Sequence, residues 1–315
     1  MRLTDKLCLF LWNTGHLPPA LARIVYKRLA KRRMAPDHPF TQDFFGLHYQ
    51  GNLNNNIDFQ IHFYGAFEKP LLFFLRDALK ALGKTPSVFV DVGANIGQHS
   101  LFMSRLASQV HSFEPFAKVR DRLLLQIAHN RLDNIRVHAL GLSNENARQP
   151  FFAPTGSNEG IGSFDASTTS KGNVAIGELE LVRGDDYLAR EGINRIDILK
   201  MDVEGFEKLA LQGLRETLLA TRPLLVCEVT YGKPLSFASL EQFVSHLPPD
   251  YRLFTFDKRK QDGSKARRRD ARSRHSGEYR IIPFSAWRSS GQDDIIACPL
   301  ESVSLLPMHA SQVTR

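Results

Sequence analysis

The sequence predicts an α/β fold: an open, mostly parallel sheet with helices on both faces, preceded by a basic helical extension. Three observations carry that reading. Apolar runs rich in β-branched residues alternate with helix-period stretches from Val88 to Val229, the pattern of successive βαβ units. The stretch Ser87 to Gly97, S-V-F-V-D-V-G-A-N-I-G, passes from an apolar run through a glycine turn into a helical pattern. An acidic residue, Glu114, ends the next apolar run, twenty-three positions after Asp91.

Taken in order, Leu21, Ile24, Val25 and Leu29 recur at helical spacing, while Arg23, Lys27, Arg28 and Lys31 to Arg33 crowd the remaining face. A basic helix packed on the domain, a solvated arm and a helix lying on an anionic membrane surface all fit that pattern. The nearby apolar run Leu7 to Trp12 is too short to span a membrane, and no small-residue cleavage site precedes His16 and Pro18. Asp43 to Asp58 reads as a loop or short hairpin, and the alternation from Ile57 to Phe63 predicts a half-buried strand. Gly65-Ala66-Phe67-Glu68 opens a helix to about Leu82, with Leu71, Leu72, Leu75 and Leu79 inward. Glu68 caps or charge-complements that helix, with a ligand contact as the alternative.

Val88 to Val92, Val110 to Phe113 and Ile135 to Leu140 are the first three parallel strands. Helices from Gly97 through Leu106 and through Leu123 and Ile127 to about Asn130 lie between them. Gly141-Leu142-Ser143 closes the third strand. Asn144 to Gly177 is rich in Gly, Ser, Thr and Asn and predicts hairpins and loops. It is either a substrate lid containing Ser157, Asn158, Gly162 and Ser163 or a plain surface loop. The fourth strand lies in the stretch from Arg195 and ends at Asp202, Leu209 to Leu219 is a helix stopped by Arg222-Pro223, and Leu224 to Val229 is the fifth strand. Phe237 to Leu247 predicts a helix, followed by strands at Tyr251 to Phe256 and Tyr279 to Phe284 and a last strand piece at Ile295 to Ala297. The basic run between those two strands reads as a flexible solvated loop, because it lacks the interleaved aromatics of a nucleic-acid interface.

At 315 residues the chain suits an N-terminal extension (1–50), one α/β domain (51–300, core 86–256, basic loop 257–276) and a tail (301–315). The net charge of +8 is uneven: residues 1–33 carry +7 and residues 257–274 carry +6, leaving −5 on the rest. The basic pI therefore says little about the catalytic body. Cys8, Cys227 and Cys298 are odd in number and far apart, so neither a disulfide framework nor a zinc site is indicated, and a reducing cytoplasm is expected.

Chemistry concentrates at two places. Gly93 and Gly97 let the backbone turn sharply and approach a ligand, and an acid placed as Glu114 is accepts hydrogen bonds from a ribose diol. A nicotinamide site asks for G-x-G-x-x-G, whereas Asp91-x-Gly93-x-x-x-Gly97 has Ala94 and Asn95 between its glycines, which makes dinucleotide binding the weaker reading. Asp91 puts a carboxylate where a cationic amino-acid moiety can be held. In I-L-K-M-D-V-E-G-F-E, an extended backbone would project Lys200, Asp202 and Glu204 to one face. Asp202, Glu204 and Glu228 could gather oxygen ligands for magnesium, but the fifth strand lacks a second adjacent carboxylate or amide, so no metal ligand is assigned.

At these residues the sequence resembles the FkbM-type S-adenosylmethionine-dependent methyltransferases: F-V-D-V-G-A-N-I-G at 89–97, F-E-P at 113–115, I-L-K-M-D-V-E-G-F-E at 198–207, and more weakly G-A-F-E at 65–68 and C-E-V at 227–229. The resemblance covers roughly residues 50–256; the basic arm and basic loop fall outside its pattern. It implies a Rossmann-like class I methyltransferase sheet of seven strands whose last pair includes an antiparallel one. It also implies S-adenosylmethionine as cofactor, with Asp91, Gly93, Ala94, Asn95 and Gly97 on its methionine side, Glu114 and Pro115 at the ribose, and Leu142 and Ser143 toward the adenine. The implied reaction is O-methylation of a sugar or other polyhydroxylated metabolite, with Asp202 as base or orienter, Lys200 tuning it or stabilising an alkoxide, and Glu204 and Glu228 as further candidates. The alternatives are an NAD-dependent oxidoreductase and a non-catalytic module binding membrane or nucleic acid through its basic segments, with peripheral contact at an anionic membrane as a partner and nucleic acid disfavoured.

Overall fold

Three helices and a β-hairpin form the first of two packing units, Met1–Phe67, in the computed structural model, which describes residues 2–154, 162–260 and 263–310. Helix α1 (Leu3–Asn13) covers a stretch for which the sequence predicted no element. Helix α2 (Pro19–Lys31) begins with a proline in its first turn, where the missing N–H costs nothing. It buries Val25, Tyr26 and Leu29, and Arg28 reaches the buried Asp5 of α1. Leu21 and Ile24, expected on the same inner face, are exposed instead. Strands β1 (Pro39–Phe44) and β2 (Leu47–Asn52) pair antiparallel around Phe45-Gly46, both at positive φ as a tight hairpin turn demands.

The predicted strand at Ile57 to Phe63 is helix α3 (Asn56–Tyr64). Local capping overrides the alternation: the Asn55 side chain accepts from the N–H groups of Ile57 and Asp58, and Gly65 ends the helix in the left-handed region. Asp58 is buried and accepts from the Tyr49 hydroxyl and the Asn52 N–H, which ties α3 to β2. Tyr26, Leu53 and Phe59 form this unit's apolar centre. Among the described residues no helix is long and apolar enough to cross a membrane.

The second unit, Glu68–Arg315, holds the main sheet. Its first part runs α4 (Lys69–Leu82), β3 (Val88–Val92), α5 (Gln98–Ser104), β4 (Gln109–Phe113), α6 (Ala117–Asn130) and β5 (Ile135–His138). A separate three-stranded sheet follows, β6 (Gly141–Ser143), β7 (Ala147–Pro154) and β8 (Asn173–Arg183), in the order β6-β8-β7. Gly141 to Ser143 thus starts a new sheet rather than closing the third strand. The rest is α7 (Gly184–Arg190), β9 (Ile198–Met201), α8 (Glu207–Gly213), α9 (Arg215–Thr221), β10 (Leu224–Tyr231), α10 (Leu240–Val244), β11 (Tyr251–Phe256), α11 (Arg267–Ser276), β12 (Ile281–Pro283) and β13 (Gly291–Pro299).

The main sheet has the order β12-β11-β13-β10-β9-β3-β4-β5, with β13 antiparallel between β10 and β11. It is the expected mixed α/β sheet with helices on both faces, and the short β12 makes it eight-stranded. The helix expected over 209–219 is two helices, broken at Leu214 with φ −103 and ψ 11; beside the break, a Cβ on Gly213 would stand 1.7 Å from the Ser143 carbonyl oxygen. The basic run is not a plain solvated loop: its second half is α11, and its charges find acids. Arg269 pairs with Asp257, Arg259 with Asp293 at 2.6 Å, and Lys258 with Asp294 at 2.8 Å. Of the proposed lid residues, Ser157 and Asn158 lie outside the described residues; Ser163 bridges to Phe152 and its hydroxyl donates to the Glu204 carbonyl.

Strand alternation divides the sheet's chemistry. Val88, Val90, Val92, Leu199, Met201, Leu225, Cys227 and Val229 share one apolar core with side chains of α7 to α10. The intervening residues face the other way, where Asp91 lies beside Lys200, and Glu228 beside Asp294, in register. The strand sequence leaves β3 in both directions, through β4 to one side and β9 to the other, so the carboxyl ends of β3 and β9 flank the sheet's switch point.

Candidate functional site

The turn after β3 is fixed by its neighbours on both sides. The N–H groups of Gly93 and Ala94 both donate to the Phe113 carbonyl at 3.0 Å, and the Asp202 N–H donates to the Val92 carbonyl. Gly93 lies at φ +80, and a Cβ on it would stand 1.8 Å from the Asp202 carbonyl oxygen. Gly97, at φ +84, is crowded by Leu123 of α6 at 2.1 Å from the same hypothetical atom. Both glycines are therefore required by close approach of protein atoms, whatever ligand comes near. Between them Asn95 takes a positive φ of 54, and its side chain caps the Ile96 N–H.

Glu114 follows β4 and is buried. Its two oxygens accept one backbone N–H each, from Asn95 at 2.8 Å and from Phe116 at 2.9 Å. Burial pushes its carboxyl up to about 7, against the pull of the Phe116 and Asn95 N–H groups and the Arg120 guanidinium. Each oxygen keeps a lone pair, so an orientated carboxylate of this kind fits the paired hydroxyls of a ribose. Pro115 lies beside Gly141, while Leu142 is part of the buried apolar core and Ser143 is buried with its carbonyl against Gly213.

A row of buried charge crosses the sheet beside this turn. Asp91 is fully buried: Oδ2 accepts from the Ser100 hydroxyl at 2.7 Å, and Oδ1 stands 3.3 Å from Lys200 Nζ. Lys200 also donates to the Gly93 carbonyl at 3.3 Å and lies 3.9 Å from Asp202 Oδ2. Burial alone would pull the Lys200 ammonium down, but Asp91, Asp202 and Glu68 together hold it above the ordinary lysine value. Asp202 is a partly exposed carboxylate at the strand's end; its Oδ1 is buried and makes no hydrogen bond. Burial raises its pKa despite the nearby Lys200 charge.

The extended row expected of Lys200, Asp202 and Glu204 is cut short. β9 ends at Met201, and Glu204 turns the chain with a positive φ of 52. The turn is locked from within by Glu207, fully buried, whose Oε1 accepts from the N–H groups of Val203 and Gly205. Glu204 contributes its carbonyl, which accepts from Ser163 Oγ and Lys233 Nζ.

Beyond Asp202 the same side of the sheet carries groups that the sequence reading placed elsewhere. Glu68 sits at the N-cap of α4 with a positive φ of 46 and makes no capping hydrogen bond, so its carboxylate is turned away from the helix it was expected to cap. It lies 3.7 Å from His99 Nε2 of α5. Asp294 of β13 offers an oxygen within 4.8 Å of one of Glu68, and Lys258 of the basic run pairs with Asp294 at 2.8 Å. Two acids immediately before the buried I-I-A-C were the available signal for Asp294.

The profile of the Methyltransferase FkbM domain matches residues 91–253. Among curated proteins the chain is 26% identical over 160 residues to the 2-O-methyltransferase NoeI of Sinorhizobium fredii, covering 47% of this chain and 65% of that protein. It is 31% identical over 156 residues to the methyltransferase sdnD of Sordaria araneosa, covering 40% of this chain and 60% of that one. The chain thus spans less than two thirds of these relatives. Of solved structures, a methyltransferase FkbM from Methylobacillus flagellatus aligns with a TM-score of 0.39 and 19% identity, over 67% of this chain and 43% of that one.

Proposed function

This chain belongs to the methyltransferase FkbM family, and from that premise we propose that it is an S-adenosylmethionine-dependent O-methyltransferase acting on a hydroxyl of a sugar or other polyhydroxylated metabolite. When bound, the cofactor supplies an electrophilic methyl on a sulfonium, which departs as S-adenosylhomocysteine. Glu114, already held by Asn95 and Phe116, takes the ribose hydroxyls; the Gly93 to Gly97 turn lines the remainder. The observation that carries the choice of oxygen chemistry is Asp202: a carboxylate at the switch point, with a buried oxygen that has no hydrogen-bond partner among the described residues and an elevated pKa. It orients the acceptor hydroxyl and takes its proton as oxygen attacks the methyl carbon. Lys200 is a positioning residue, since its ammonium is spent on Asp91, Gly93 and Asp202. The 2-O-methyltransferase name of the Sinorhizobium relative supports an oxygen acceptor.

The test is calorimetric titration of the purified chain with S-adenosylmethionine, with NAD as a control. Saturable binding of S-adenosylmethionine is expected, lost in Glu114→Ala. The ionised Glu114 is the form that accepts from both hydroxyls, and its pKa is near 7. Affinity should therefore rise with pH, being about tenfold weaker at pH 6 than at pH 8 in the intact chain and less pH-dependent in Glu114→Gln. Binding of NAD in place of S-adenosylmethionine would transfer the site to the oxidoreductase reading.

A second surface supports a peripheral role at an anionic membrane. Leu3, Leu7 and Phe10 are exposed at one-turn spacing along α1, Leu21 and Ile24 are exposed on α2, and residues 1–33 carry a net charge of +7. Flotation with phosphatidylglycerol vesicles is expected to carry the chain, and Leu7→Asp with Phe10→Asp to abolish it. Equal flotation of the double variant would leave this surface without a lipid role.

A further inference from the structure

One carboxylate oxygen each from Glu68, Glu228 and Asp294 lie within 4.8 Å of one another, drawn from the start of α4 and from two neighbouring strands. Glu228 and Asp294 are direct cross-strand partners, an arrangement that two like charges disfavour. Gln292 donates to Glu228 Oε1 and Lys258 to Asp294 Oδ2, each at 2.8 Å. Among the described residues, Lys200 pairs with Asp91 and Asp202 on this side of the sheet and Lys258 with Asp294, while neither ammonium is in a salt bridge with Glu68 or Glu228.

A second observation is independent of the acids. His99 is only 6% exposed, its Nε2 makes no hydrogen bond among the described residues, and that nitrogen faces Glu68 Oε2 at 3.7 Å. A buried ring nitrogen left unbonded beside a carboxylate of this cluster points to a group that the described residues do not supply. Hard divalent ions sit about 2.0–2.6 Å from their oxygen ligands, so opposed ligands about 4–5 Å apart can share one.

We propose that Glu68, Glu228 and Asp294 form a binding site for a hard divalent cation, with the unbonded Nε2 of His99 beside Glu68 at its edge. The second acid that β10 lacks comes from β13, the strand beside it. Magnesium, manganese and calcium share the required chemistry, and competition distinguishes them. The site goes beyond the methyl-transfer reading and is tested without cofactor or acceptor, so failure of either reading leaves the other standing.

The experiment is a manganese titration of the chelator-treated full chain, followed by electron paramagnetic resonance. One saturable site is expected, weakened about tenfold or more in Glu228→Gln and in Asp294→Asn. Glu68→Gln, at a helix start, serves if either strand variant fails to fold, and thermal melts without metal establish which variants are folded. Manganese should raise the melting temperature of the intact chain but not of the folded variants, and excess magnesium or calcium should displace it. No binding to the intact chain, undiminished binding to the variants, or displacement by zinc alone overturns the proposal.

Discussion

Gly93→Ala is expected to lower the stability of the chain by about 3 kcal/mol or more, the sum of a left-handed conformation imposed on alanine and overpacking against backbone. The methyl would stand 1.8 Å from the Asp202 carbonyl oxygen, and that oxygen cannot retreat as a flexible side chain would. The neighbouring Asp202 N–H is itself bonded to the Val92 carbonyl, so the clash is transmitted to the pairing of β3 with β9. Gly192→Ala is the matched control: its φ is also positive, at +70, but nothing lies within 4 Å of the added atom. That change should cost only about 1 kcal/mol. Urea unfolding of the two variants separates the terms; equal losses would remove the close approach as the reason for Gly93.

Asp202→Ala is expected to reduce turnover by about 10²–10⁴-fold, the usual worth of a positioned proton acceptor. Binding of S-adenosylmethionine should stay within about threefold of the intact chain, because the carboxylate faces the acceptor in this scheme. The readout is release of S-adenosylhomocysteine with a panel of polyhydroxylated acceptors, beside calorimetry with the cofactor. Loss of cofactor affinity along with turnover would move Asp202 from the acceptor's side to the cofactor's side. Lys200→Met should behave differently from Asp202→Ala. Removing the buried ammonium leaves Asp91 uncompensated, so stability falls before catalysis can be read.

Much of the sheet was legible because its signals are local. Val88 to Val92 is buried at all five positions, and a run of β-branched residues bounded by glycine announces such a strand without reference to anything else. The same holds for β4, β9 and β10, and for Glu114, whose place at the end of β4 follows from the length of one βα unit. Ile57 to Phe63 misled because its apolar residues satisfy both periods, and only the Asn55 cap and Gly65 terminus select the helix. The basic run hid α11, since charge and composition do not report which acids lie opposite; Asp257, Asp293 and Asp294 do. Nor does the helical pattern show that Gly213 must stay glycine for the carbonyl of Ser143, seventy positions earlier.

What the sequence determined by itself is the existence of the parallel strands β3, β4, β9 and β10, the Gly93 turn and the acids that end β4 and β9. Side-chain period and turn chemistry act over a few residues, and they are written in the chain. Which charges share one side of the sheet was decided only by the tertiary structure. Glu228 meets Asp294 because β13 inserts antiparallel between β10 and β11, and Glu68 meets His99 because α4 and α5 bring them together. Strand order and helix placement are settled by packing between residues far apart in sequence, so no local pattern carries them.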